Sequence, residues 1–178
     1  MRRPPGRGVW TMNNVIESIL SRRSVRQFSG APVGRDDLEL MLRAGMAAPT
    51  GMNLQPWAFI LLTDRRRMDA LREELPYAKM LYKAGADIIV CGEASAGHWV
   101  ADCSAAAENI LLAAHALGYG AVWTAAYPYE DRIAAVRREC GIPETHLPLC
   151  VIPVGVPGGV AGTAKDKFKQ SNIHKDVW

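Results

Sequence analysis

The chain lacks most of the devices that announce a chemistry. Its four cysteines, at 91, 103, 140 and 150, nowhere form a C-x-x-C pair, and no histidine pair stands near them at ligand spacing. No structural zinc site is therefore expected, and no other metal site. The expected role of the cysteines is that of small, reduced, buried hydrophobes, which fits a cytoplasmic location. No G-x-G-x-x-G occurs, so no Rossmann site for a nicotinamide is expected. No apolar run approaches the length of a membrane-spanning helix. The N-terminus is basic but carries no apolar secretory segment. Lys and Arg number 21 against 18 Asp and Glu. No basic run is interleaved with aromatics, so neither nucleic acid nor membrane is an expected partner. No Ser/His/Asp set and no carboxylate pair nominates itself as acid–base machinery, so no side chain is singled out as catalytic.

What is present is an ordinary folding composition. Half the 178 residues are apolar (49%) and 22% are charged, enough for one domain with a substantial core. Residues 1–11, MRRPPGRGVWT, read as a flexible extension with Met12 a candidate start, and residues 12–178 as the single domain. Asn13 or Asn14 caps a helix to about Arg22, with Val15, Ile16, Ile19 and Leu20 on its apolar face. A second helix is expected from Arg35 to Ala47. The apolar run WAFILLT, from Trp57 to Thr63, reads as a buried strand. Asp64 caps a charged helix that ends at Pro76, and Tyr77 to Ala84 reads as a short amphipathic helix. DIIVC, 87–91, is a second buried strand, and GEASAG after it a flexible lid. Trp99 to Leu117 is the longest helical pattern, apolar nearly all round apart from Glu108, Asn109 and His115. Gly120 to Ala126 is a third strand, Glu130 to Cys140 a helix stopped by Gly141, and Leu149 to Val156 a fourth strand in which Pro153 argues for an edge or a bulge. Alternating strands and helices would by themselves suggest parallel βαβ units. The polar tail after residue 156 is too long to float unless it docks on something.

Two stretches stand out. Between Ala48 and Trp57 the chain reads APTGMNLQPW. Pro49 and Pro56 fix the backbone at its ends, and Thr50, Asn53 and Gln55 offer uncharged donors and acceptors suited to a planar heterocycle. Upstream, Ser21 to Phe28 reads SRRSVRQF. Arginines at a helix C-terminus are stabilised without any ligand, which accounts for Arg22 and Arg23 but not for Arg26.

Together these segments resemble the FMN-dependent nitroreductase family, in which an Arg-Arg-Ser-x-Arg segment and a Pro-Ser/Thr-x-x-Asn-x-Gln-Pro-Trp loop both hold the flavin. The resemblance runs from Asn14 through Trp99–Tyr127 to the KDKF segment near the C-terminus. It implies an α+β fold, an α/β/α sandwich on a mixed, mostly antiparallel sheet, in an intertwined homodimer with FMN at the subunit interface. It implies an oxidoreductase in which NADH or NADPH reduces FMN, and FMN reduces a nitroaromatic, quinone or related small acceptor by ping-pong. Same-fold alternatives are a specialised dehydrogenase, dehalogenase or flavin-consuming enzyme, or a flavin-binding protein without turnover.

By resemblance, Arg22, Arg23, Ser24, Arg26, Lys165 and Lys167 are the candidates for the phosphate and ribityl chain. Lys167 stands where the family often has arginine and supplies charge without the planar fork. Arg23 or Arg26 would face the flavin N1 and C2 carbonyl. Asn53 and Gln55 would meet the pyrimidine edge, Pro49 and Thr50 would lie against the cofactor from the partner subunit, and Trp123 and Thr124 beside the ring.

Overall fold

A computed structural model describes residues 14–159, 162 and 164–178. The expected extension, 1–11, lies outside them. Five strands, β1 (Trp57–Leu62), β2 (Ala86–Glu93), β3 (Gly120–Ala121), β4 (Thr124–Ala125) and β5 (His146–Gly155), form one sheet. Its order is β1-β2-β5-β3, with β4 also on β5. Among the described residues every strand pair is antiparallel, and the parallel element is a single bridge between Ser24 and Ala121. The βαβ reading from periodicity is therefore wrong, and the antiparallel expectation drawn from resemblance holds. Alternation of strands with helices fixes which elements cover the sheet, not the direction in which each strand re-enters it.

Alternating β2 side chains divide the core in two. Ile88 and Val90 face α2 (Arg35–Met46) and α4 (Trp99–Ala116); Ile89 and Cys91 face α3 (Arg65–Glu74) and α5 (Glu130–Cys140). The result is the expected α/β/α sandwich. α2 crosses α4 closely, and a β-carbon on Gly45 would lie 2.9 Å from Ile110. Asp64 caps α3 as expected, its carboxylate accepting from the Arg66 N–H at 2.9 Å. Gly141 ends α5 at φ 67.

Several expectations need correction. β1 is an edge strand, mostly half-buried rather than buried. Tyr77–Ala84 holds only a 3₁₀ turn, Lys79–Lys83. Pro153 lies in the central strand, not at an edge, and the bulge is at Val90/Cys91, opposite Pro148 to Cys150. The third strand is split, yet β3 and β4 pair with β5 in one continuous register. Pro153 causes the gap. The Ala126 N–H bonds to the Leu149 carbonyl, so odd-numbered β5 residues turn their backbone groups toward β3 and β4. Pro153 falls on that side opposite Val122 and has no N–H to give. The GEASAG segment is no free lid: the Glu93 and Ala94 N–H groups bond to Pro56 and Thr145 carbonyls, both at 2.9 Å.

The helix α1 (Asn14–Ser21) has no buried residue. Val15, Ile19 and Leu20 of its apolar face stay exposed, as do Phe168, Ile173, Val177 and Trp178 of the tail. Within this chain the tail packs little of its own apolar surface.

Candidate functional site

The arginine segment leaves α1 and runs onto the sheet edge. Arg22 closes the last turn through its N–H to the Ser18 carbonyl, and the Val25 N–H bonds to the Ala121 carbonyl at 3.0 Å. A β-carbon on Gly120 would collide with Val25, so glycine lets the segment press against β3. Arg22, Arg23, Ser24 and Arg26 line a cavity of about 980 Å³, which Lys165, Asp166 and Lys167 line as well. A smaller recess of about 290 Å³ adjoins it along Arg23, Arg26, Gln27 and Pro157. The structure thus brings together six residues that the sequence offers for the phosphate, including both lysines, from opposite ends of the chain.

These cations are largely uncommitted. Arg22 donates from Nε to Glu108 Oε1 at 3.0 Å. Arg23, Arg26, Lys165 and Lys167 make no ion pair among the described residues. Four unpaired cations around one cavity leave a field that an anion would relieve. The donor set, guanidinium forks, a hydroxyl and ammonium groups, suits a phosphate monoester. His115, beside the segment, is held below its ordinary pKa by burial and then by the charges of Arg23 and Arg22.

The amide loop is a separate feature. Thr50 is extended, then Met52, Asn53 and Gln55 adopt φ 52, 57 and 51. Such angles are uncommon outside glycine and hold only where neighbours fix them. Here the Gly51 N–H donates to Asp102 Oδ1 at 3.1 Å, the Gln55 N–H to Thr50 Oγ1 at 3.2 Å, and Gln55 Nε2 to Asn53 Oδ1 at 3.0 Å. That last bond pairs the two amides. Asn53 and Gln55 are both exposed, as is Pro49.

The structure does not bring this loop to the cationic cavity. Both sets hang from α4, but from different stripes. Asp102 holds the loop and Asn109 the end of α2, through the Ala44 carbonyl at 3.0 Å. Glu108 and His115 hold the arginine segment. Stripes 102/109 and 108/115 lie roughly 120° apart around the helix. Trp123 packs half-buried against the core and Thr124 is buried; neither lines the cavity. Sequence reasoning marked Glu108, Asn109 and His115 as polar exceptions on this helix without giving them a role, and passed over Asp102. The available signal was a set of polar residues recurring at a spacing of seven on an otherwise apolar helix.

The chain is thus an antiparallel α/β/α sandwich with a cationic cavity at its edge and a pre-shaped amide loop on another side of α4. Residues 19–75 and 69–156 match the nitroreductase family, and the chain belongs to that family. A Methanothermobacter thermautotrophicus protein provisionally named NADH dehydrogenase/NAD(P)H nitroreductase is 42% identical over 169 residues, covering 93% of this chain and 88% of its own length. An Archaeoglobus fulgidus protein of the same provisional name is 39% identical, over 94% of this chain and all of its own. The crystal structure of a Bacteroides thetaiotaomicron protein, again so named, superposes with a TM-score of 0.92 at 48% identity, covering 94% of this chain and all of that one.

Proposed function

We propose that this chain is an NAD(P)H-dependent FMN oxidoreductase, acting as an intertwined cytoplasmic homodimer on nitroaromatic, quinone or related small acceptors by ping-pong. The observation that carries the reading is the ring of four unpaired cations, Arg23, Arg26, Lys165 and Lys167, around one cavity. When bound, FMN supplies the redox chemistry, accepting a hydride equivalent from the nicotinamide and passing it to the acceptor. The chain binds and orients. Arg22, Ser24 and Lys167 grip the phosphate, and Lys165 adds charge. Arg23 or Arg26 supplies positive charge to the anionic edge of the ring. Asn53 Nδ2 and Gln55 Oε1, not used in the bond between the two amides, offer a donor and an acceptor to the pyrimidine edge.

A single copy holds the loop and the cavity on different sides of α4, so a second copy is needed to supply Pro49, Thr50, Asn53 and Gln55 to the flavin. The apolar residues left exposed on α1 and the tail are the natural surface for it. Trp123 and Thr124 border the arginine segment through the neighbouring Ala121 bridge.

Purified Arg26→Ala and Asn53→Ala variants test the site. Each is expected to carry a lower fraction of FMN, read as flavin absorbance per protein chain. Normal occupancy in both would overturn the assignment.

A further inference from the structure

Val25 and Phe28 tie the later part of the arginine segment to the sheet and core, but nothing in the core places its start. The preceding helix, α1, buries no side chain, so its C-terminal end takes its position from what grips it. Two α4 side chains do so. His115 Nε2 lies 2.8 Å from Ser21 Oγ, and that hydroxyl donates its own proton to the Glu17 carbonyl at 2.6 Å. The imidazole is therefore the donor. Glu108 Oε1 accepts from Arg22 Nε at 3.0 Å. Residues 108 and 115 are two turns apart on one stripe, and Ser21 and Arg22 are consecutive, so the contacts act as a two-point clamp.

The choice of Arg22 Nε matters. Glu108 engages Nε and leaves the two terminal nitrogens without an ion pair among the described residues, on a side chain that lines the cavity and is only 19% exposed. A free arginine loses rotamer freedom when it closes on an anion; one already held by its Nε loses less.

We infer that Glu108 and His115 are positioning residues that pre-set Arg22 for the ligand's phosphate. The inference rests on the FMN reading above. The alternative role for Glu108 is to compete with the phosphate for Arg22, and the two roles have opposite signs.

The test compares FMN with riboflavin, which lacks the phosphate. Apoprotein is titrated with each, following flavin fluorescence, for the unchanged chain and for Glu108→Ala, Glu108→Gln and His115→Ala. Loss of one partly exposed ion pair corresponds to about fivefold in affinity. Glu108→Ala should weaken FMN by about that factor and leave riboflavin unmoved. Glu108→Gln, which keeps an acceptor oxygen for Arg22 Nε, should restore most of the loss, and His115→Ala should shift FMN alone in the same direction. Equal weakening of both ligands would reduce the clamp to a structural role and overturn the inference, as would unchanged or tighter FMN binding in Glu108→Ala. If the unchanged chain binds FMN no better than riboflavin, the phosphate site falls and the inference with it.

Discussion

Asp87 shows how one residue can run against its surroundings. It sits in the middle of the sheet, opposite Leu62 on one side and Pro153 on the other, fully buried, with neither carboxylate oxygen hydrogen-bonded among the described residues. Burial pushes its pKa well above the usual carboxylate value, and Arg65 only partly opposes this. Arg65 spends its guanidinium on the Leu81 and Ala84 carbonyls and on Asp69. The folded chain therefore holds a proton that the unfolded chain has released. Stability from this group is full below the unfolded carboxylate pKa and is lost as pH rises toward the raised folded value. Asp87→Asn removes the titration. The variant should have a higher urea midpoint than the unchanged chain at pH 7 and a flatter midpoint-against-pH profile from pH 4 to 8. Parallel profiles would contradict this. Nothing in DIIVC marks Asp87 as buried and unpaired, because a strand's first residue is as often the last polar one outside the core. The arginines and the amide loop were legible for the opposite reason: their prolines and clustered charges have no use in a core.

At the scale of elements, helix ends were read well because their chemistry is local. The Asp64 cap satisfies backbone donors at the start of α3. Asp64→Ala should lower stability by about 1 kcal/mol, measured by urea unfolding, without changing flavin content; no loss would show that α3 is held by packing alone. Gly45 lets α2 and α4 approach. Gly45→Leu should drive a side chain into Ile110 and destabilise by about 1–3 kcal/mol; an unchanged melting temperature would refute the close crossing. Strands were read less well. The run from Gly120 to Ala126 was visible as a strand, but its interruption comes from Pro153, which is remote in sequence and meets it only in the sheet. Likewise WAFILLT is apolar enough for a buried strand and still lies at the edge. Composition does not say which neighbour is missing, and exposed Leu61 is what that uncertainty looks like in three dimensions.

At the scale of the molecule, the exposed faces are the clearest statement. Val15 is 64% and Trp178 99% exposed, on segments that also carry the cationic cavity's outer wall. If these faces meet in a homodimer, Val15→Glu should shift the sedimenting species from twice the chain mass toward one, and flavin occupancy should fall with it; a monomeric unchanged chain that retains flavin would contradict the shared site. The amphipathic pattern of α1 was legible, but a helix with one apolar face reads alike whether its partner is the core or a second chain. Glu108 and His115 stood out as polar residues, but their clamp role was hidden for a related reason, since their partners lie across the fold.

The most direct test of the account is anaerobic addition of NADH or NADPH to the purified protein while its visible absorbance is followed. The account predicts a yellow protein whose flavin band bleaches with one of the two nicotinamides and returns when a quinone or nitroaromatic is added. A colourless protein that takes up no FMN when it is supplied, or a bound flavin that neither nicotinamide bleaches, would contradict it.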